Sequence, residues 1–149
     1  LISVALRLAC NRIGIALPCH RAPARPDPDA LIHVIQALLD ANAHDEFQWT
    51  PGKKPTRHQI RSRGQRITLE LRQDWIVASR LIEAHPDPAP ANLLRRTLSR
   101  NASPSGPDFF YTARGEIKAR MVHPLADLGA RELACILREL VAVPVQKLP

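Results

Sequence analysis

The amino-acid sequence predicts an α+β fold with a five-stranded, mainly antiparallel sheet and three helices, in the order α-β-β-β-α-β-β-α. Three segments carry apolar residues at the spacing of amphipathic helices. The segments between them alternate apolar and polar residues, as strands with one buried face do. Because the helical and strand segments are grouped and do not alternate one by one, the pattern does not fit a parallel α/β fold.

The composition is that of a single folded domain with a basic balance. The chain has 149 residues, of which 45% are hydrophobic, and a chain of this size can bury a sizeable core. Basic residues outnumber acidic ones 21 to 14, which gives a formal net charge of +7 and favours an acidic or polyanionic partner. The three cysteines have no CxxC spacing, so a reducing compartment fits better than a disulfide framework.

Residues 1–28 are predicted to be a basic, Pro/Arg-rich leader, poorly ordered or partly helical, ahead of a single domain at 29–149. The stretch "PCHRAPARPDPD" contains four prolines, as extended linkers do. The apolar start "LISVALRLAC" is interrupted by Arg7 and is too short to span a bilayer. We therefore expect no membrane insertion.

The first helix is predicted from "ALIHVIQALLDAN", with Asp29 as its N-cap. Its apolar residues cover so much of the circumference that the helix must either lie in a core or cover a partner. The residues at helical spacing are Leu31, Val34, Ile35 and Leu38, and the stripe is widened by Ile32 and Leu39.

Strand patterns follow this helix. "EFQWTPG" predicts a short strand with Phe47 and Trp49 on one side. "HQIRSRGQRITLELRQ" predicts two strands joined at Gly64, and in the second of them Ile67 and Leu69 alternate with polar residues. "WIVASRLIE" continues the strand pattern, although its apolar residues also fit a helix.

Two further helices are predicted in the second half of the chain. "ANLLRRTLSRN" places Leu94 and Leu98 one helical turn apart, after a segment rich in proline. "LGARELACILRELV" carries a clear apolar stripe, and Asp127 is predicted to cap it.

Between these helices, "FFYTARGEIKARMV" predicts a β-hairpin that turns at Gly115. Glycine can adopt the positive φ that a three-residue turn with a bulge requires. That register places Phe109 and Tyr111 on the face of Ile117, with Phe110 on the opposite face. A two-residue turn would exchange the two faces.

No motif in the sequence predicts catalysis, a cofactor or a metal site. It contains no nucleophile elbow, P-loop, HExxH or GxGxxG pattern. The carboxylates are scattered, and the six histidines show no spacing typical of metal ligands. The sequence therefore predicts a binding protein and not an enzyme.

A cationic run without any carboxylate extends from residue 53 to residue 66, and it has three interpretations. It can be a solvated edge of the sheet, since charged edges discourage strand pairing between molecules. It can also bind an acidic protein, or nucleic acid together with Lys118 and Arg120. Sheets that bind RNA expose aromatics on adjacent strands, and aromatics are only 4% of this chain. The cations of this basic patch are Lys53, Lys54, Arg57, Arg61, Arg63 and Arg66.

Residues 29 to 143 resemble the class I type III secretion chaperones (Tir-chaperone-like), small bacterial proteins that hold effectors before export. "NLLRRTLSRN" is similar to the family's middle helix, "GPDFFYTARGEIKARMVHPLADL" to its last hairpin and "ARELACILRELV" to its C-terminal helix. "LIHVIQALLDAN" and "RITLELRQDWIVASRL" resemble its first helix and paired strands. The chain departs from the family in its basic charge and in its leader.

The resemblance implies a cytoplasmic, non-catalytic bacterial chaperone that binds an unfolded segment of a secreted effector and keeps it export-competent. The alternative is a basic nucleic-acid-binding module. Together with the broad stripe of the first helix, the resemblance suggests effector contacts at Leu31, Val34, Ile35, Leu38, Phe47, Trp49, Ile67 and Leu69. It also implies a homodimer, whose interface would include Leu94, Leu98, Phe109, Phe110 and Tyr111.

Overall fold

A computed structural model describes residues 27–41, 46–84 and 106–144, together with residues 91, 92, 95, 99 and 101. Most of the predicted leader, residues 1–26, lies outside the described residues. The architecture is α+β, as predicted: one antiparallel sheet with helices packed on one of its faces.

Within the described residues the sheet has six strands, one more than predicted. Every neighbouring pair is antiparallel, and the spatial order is β1-β2-β3-β4-β6-β5. The strands are β1 (Gln48–Thr50), β2 (Arg57–Ser62), β3 (Gln65–Arg72), β4 (Trp75–Ala84), β5 (Asp108–Tyr111) and β6 (Glu116–Pro124).

The additional strand arises at residues 73 and 74, where the chain reverses between β3 and β4. Gln73 adopts a positive φ of 54° in this turn, and Arg72 then pairs with Trp75. "WIVASRLIE" is therefore a separate strand that crosses the centre of the sheet. The helical interpretation of this segment was wrong.

Helix α1 (Pro28–Ala41) begins two residues earlier than its predicted cap implies. The carboxylate of Asp27, not that of Asp29, accepts hydrogen bonds from the backbone N–H groups of Asp29 (3.1 Å) and Ala30 (3.3 Å). Pro28 then occupies the first helical position, where its missing N–H costs nothing.

Helix α2 (Ala130–Ala142) also begins differently from the prediction. Asp127 lies in a short 3-10 helix (Leu125–Asp127), and Gly129 is the N-cap. The side chain of Glu132 accepts the Gly129 N–H at 3.2 Å. In the stretch where a middle helix was predicted, residues 91, 92, 95 and 99 are helical, whereas Leu94 and Leu98 lie outside the described residues.

The core lies between the sheet and the two helices. In β3, Ile67, Leu69 and Leu71 point inward and are almost fully buried, whereas the residues between them point outward. Leu133 and Leu137 of α2 are fully buried in the same cluster. Strand alternation therefore leaves the opposite face of the sheet free of both described helices.

The hairpin of β5 and β6 has the predicted three-residue turn. The Thr112 N–H donates to the carbonyl of Glu116 at 2.8 Å, and Gly115 has a φ of 77°. Phe109 is buried opposite Ala119, while Phe110 pairs with Lys118 on the outward face. The register with Phe109 and Tyr111 on the inner face is confirmed.

Candidate protein-binding surface

The face of the sheet that points away from α1 and α2 forms a shallow depression of about 680 Å³. Its side chains come from the outward positions of four adjacent strands, with Phe110 of β5 at one side. We call this surface the outer-face depression. It is lined by Arg57, Gln59, Arg61, Gly64, Gln65, Arg66, Thr68, Glu70, Arg72, Val77, Ser79, Leu81, Phe110, Glu116, Lys118 and Arg120.

The depression is strongly basic. It contains six cationic side chains and two carboxylates, and both carboxylates are already paired with a cation of their own strand. Glu70 accepts from Arg72 at 3.0 Å, and Glu116 lies 2.9 Å from the Lys118 ammonium. The hydrogen bond from Lys118 lowers the pKa of Glu116 below its ordinary value of 4.5. Arg120 lies 3.9 Å from the carboxylate of Asp108 in β5, so the lining cations without an ion pair in the described part of the chain are Arg57, Arg61 and Arg66.

Two of those arginines lie directly opposite each other. Arg61 of β2 and Arg66 of β3 are cross-strand partners, and both are exposed on the outer face. Neither forms an ion pair with a carboxylate in the described part of the chain. Like charges in this arrangement destabilise a sheet. This end of the depression is therefore an uncompensated positive site.

The predicted basic patch is exposed throughout, but it is divided among three positions. Arg57, Arg61 and Arg66 line the outer-face depression. Lys53 and Lys54 lie in the loop between β1 and β2, beside a second hollow of about 430 Å³ that Arg57 also lines. The last of the six, Arg63, lies in the turn between β2 and β3 with a φ of 47°.

Six of the eight predicted effector contacts lie in the core of this chain. Helix α2 packs against α1 and, with the sheet, covers its apolar stripe. The exposed fraction of each side chain is 5% or less for Leu31, Ile35, Leu38, Phe47, Ile67 and Leu69.

The other two predicted contacts, Val34 and Trp49, are half-buried against the edge of the core. The Trp49 ring lies 5.7 Å from that of His58, measured between centroids, on the inner side of the sheet. Its indole N–H is buried and has no hydrogen-bond partner among the residues that the structure describes. Both side chains therefore present only part of their surface to solvent.

The predicted dimer residues are also divided between core and surface. Phe109 is 7% exposed and belongs to the core, and Tyr111 is half-buried against it. Phe110 points outward, with the Arg120 guanidinium 5.2 Å from the centroid of its ring. Of the described residues in this set, Phe110 is the one that a partner can reach from the outer face.

The two edges of the sheet differ in their capacity to pair with another strand. At the β5 edge, the side-chain amide of Asn101 donates to the Phe109 carbonyl and accepts its N–H, both at 2.7 Å. At the opposite edge, β1 pairs with β2, and no strand of the described chain lies on its other side. Edge strands of this kind are templates for strand addition.

The sequence analysis did not place Arg72 on this surface, and it joined Lys118 and Arg120 to the cationic run only under the nucleic-acid alternative. The sequence did indicate that these cations lie on the same face of each strand, because they occur at alternate positions. Arg66 and Arg72 lie an even number of positions apart in β3, and Lys118 and Arg120 are two apart in β6. What the pattern could not supply was the order of the strands.

None of the helices in the described ranges is long and apolar enough to cross a membrane. Within the same ranges, no group of three or more histidine, cysteine or acidic side chains is arranged to hold a metal ion.

The fold is that of the type III secretion chaperones, in agreement with the predicted resemblance. A chain of the HopA1–SchA chaperone–effector complex superposes with a TM-score of 0.58 at 14% sequence identity, over 76% of this chain and 89% of that one. The Yersinia pestis type III secretion chaperone SycH, in complex with a stable fragment of YscM2, gives a TM-score of 0.55 at 12% identity, over 75% and 93% of the two chains. No family model matches the sequence, and no curated protein sequence matches it significantly. At these identities the likeness concerns the fold.

Proposed function

We propose that this chain is a non-catalytic chaperone of a bacterial type III secretion system. It would bind an unfolded segment of an effector protein in the cytoplasm and keep it competent for export. The observation that carries the proposal is the shared fold, which spans about three quarters of this chain and nearly the whole of two solved chains from such complexes. Fold alone does not determine function, so the proposal also needs a surface suited to an extended chain.

The open edge of the sheet at β1 is a surface suited to an extended chain. An extended segment that adds to β1 would gain backbone hydrogen bonds without requiring any particular side chains. The β5 edge is less suited to this role, because Asn101 already occupies the outward backbone groups of Phe109. The half-buried Val34 and Trp49 are the predicted effector contacts that remain accessible.

Co-purification from the native host, with identification of the bound molecule, tests the proposed function. We expect a secreted protein whose bound segment is unfolded when free. Hydrogen exchange of the reconstituted complex should then show slower exchange of those backbone amides in residues 48–50 that point away from β2. The Phe109 amide is the internal control, because its hydrogen bond to Asn101 is present before binding. A partner that binds only as a folded globular protein would contradict the proposal.

Nucleic-acid binding is the alternative function, and the exposed cations at Arg57, Arg61 and Arg66 favour it. The dependence of binding affinity on salt concentration distinguishes nucleic-acid binding from effector binding. Phosphate contacts make the logarithm of the affinity fall with the logarithm of the salt concentration, with a slope of about −0.7 to −0.9 per contact. Strand addition and apolar contacts depend on salt far less. Tight RNA or DNA binding that disappears at high salt, without any protein partner, would favour the alternative.

A further inference from the structure

We propose that the β2–β3 half of the outer-face depression binds an acidic, extended segment, with a carboxylate seated between Arg61 and Arg66. The inference rests on the proposed function and adds the chemical class of the segment that is held. It concerns a surface distinct from the β1 edge, since Arg61 and Arg66 present their side chains on the outer face.

The arrangement of Arg61 and Arg66 is the first reason. They are cross-strand partners on strands about 4.8 Å apart, and no carboxylate of the described chain pairs with either. An arrangement of this kind lowers the stability of the sheet. An acidic side chain placed between the two guanidinium groups would remove the repulsion and form charge-assisted hydrogen bonds.

The neighbouring positions extend the site along β2. Arg57 lies four residues before Arg61 on the same face, about 13 Å away at roughly 3.3 Å per residue. Gln59 lies between them, opposite Thr68 of β3, and both can donate or accept hydrogen bonds. Arg57 lies opposite Glu70, so the seat for a carboxylate is at Arg61 and Arg66, and the rest of the row offers hydrogen-bonding groups to an extended peptide.

The lining favours an acidic peptide over nucleic acid. The outward positions of β2 and β3 contain no aromatic side chain on which a base could stack. Phe110, the aromatic residue of the depression, lies beneath Arg120. Glu70 and Glu116 are each paired with a neighbouring cation, so the unpaired positive charge lies at the β2–β3 end, which suits a single carboxylate better than a run of phosphates.

A second copy of the chain is disfavoured at this end of the sheet. A two-fold interface uses the same patch on both subunits, so the cations of one copy would face those of the other. The complementary occupant is therefore an anionic segment of a different protein.

The test compares two double variants of the full-length chain. Arg61→Gln with Arg66→Gln removes the opposed pair. Arg114→Gln with Arg131→Gln is the matched control, because it removes the same charge from two exposed residues outside the depression. Three fluorescein-labelled probes are titrated by anisotropy: an unfolded peptide of Glu, Ser and Leu, the same peptide with Gln for Glu, and a single-stranded oligonucleotide.

We expect the acidic peptide to bind most tightly to the unaltered chain. Loss of the opposed pair should weaken its binding about tenfold, as expected for two exposed charge contacts, and the control should leave it nearly unchanged. The inference is overturned if the acidic peptide binds no better than its Gln counterpart. It is also overturned if both double variants lose affinity equally, or if the oligonucleotide binds best.

Thermal unfolding of the same variants separates loss of a site from loss of the fold. Removing two opposed like charges should leave the midpoint of the Arg61→Gln/Arg66→Gln variant equal to or above that of the original chain. A lower midpoint would contradict the repulsive pair on which the inference depends. If the native partner is an unfolded secreted segment but the acidic probe is not preferred, this inference fails while the proposed function stands.

Discussion

Arg80 in the middle of the sheet donates a hydrogen bond of 2.6 Å to the backbone carbonyl of Leu140, near the C-terminal end of α2. The same Nη1 atom lies 3.0 Å from the carbonyl of Val141 and 2.9 Å from that of Val143. The side chain is 2% exposed, and its burial lowers the pKa of the guanidinium. The last carbonyls of a helix carry partial negative charge and lack partners within the helix. Arg80 therefore attaches the C-terminus of α2 to the centre of the sheet.

Replacing this arginine should destabilise the fold strongly. In Arg80→Met the side-chain volume is largely kept, but the buried carbonyls lose their donor, at a cost of about 2–4 kcal/mol. Urea unfolding followed by circular dichroism measures this loss. Arg131→Met is the control, since Arg131 is an exposed residue of the same helix, and it should change stability by less than about 0.5 kcal/mol. Equal stability of the two variants would show that Arg80 does not fix α2.

Shortening the side chain of Ile35 in α1 should reduce the stability of the fold, and it should not act by removing a surface contact with the partner. Ile35 is fully buried, so Ile35→Ala should lower the free energy of unfolding by about 2–5 kcal/mol. Val34→Ala, at a half-buried position of the same helix, should cost distinctly less in the same denaturant titration. If Ile35→Ala left stability unchanged while it abolished partner binding, Ile35 would belong to the surface and not to the core.

The ion pair between Glu116 and Lys118 should make a small contribution to stability that depends on pH. The pKa of Glu116 is lowered in the folded protein, so its contribution is present above about pH 4.5 and is lost as the pH falls through the folded pKa. In Lys118→Met, an NMR titration should show the pKa of Glu116 moving up toward 4.5. Arg114→Met should move it less, because Arg114 has the smallest of the effects on this carboxyl group.

The homodimer that the family resemblance implies predicts a mass by light scattering of twice the 16.6 kDa of one chain. Phe110→Glu should return the mass of a single chain, because a carboxylate would replace the accessible apolar ring at the proposed interface. The variant should remain folded, since Phe110 points outward beside Arg120. Arg131→Glu, at an exposed position of α2 on the other face of the sheet, should leave the dimer intact. A mass of one chain for the original protein at high concentration would contradict the proposal.

The sequence was sufficient to predict the class of fold and most of its elements, because these depend on local periodicity. The turn at Gly115 is an example. Its spacing predicted the faces on which Phe109 and Phe110 lie, and the observed register of β5 and β6 agrees with that prediction. The strand pattern gave no position for the turn at Gln73, although the resemblance implied paired strands in this segment, since a non-glycine residue with positive φ leaves little signal in the sequence.

Only the tertiary structure decided which apolar residues are covered and which charges meet. The stripe of α1 has the same pattern whether it covers a partner or packs against α2, and the packing of α2 placed Ile35 in the core. The opposition of Arg61 and Arg66 depends on the pairing register of β2 and β3, and the depression around them depends on the order of the strands. Periodicity fixes the face on which a side chain lies, whereas its neighbours across the sheet are set by contacts between segments that are distant in the chain.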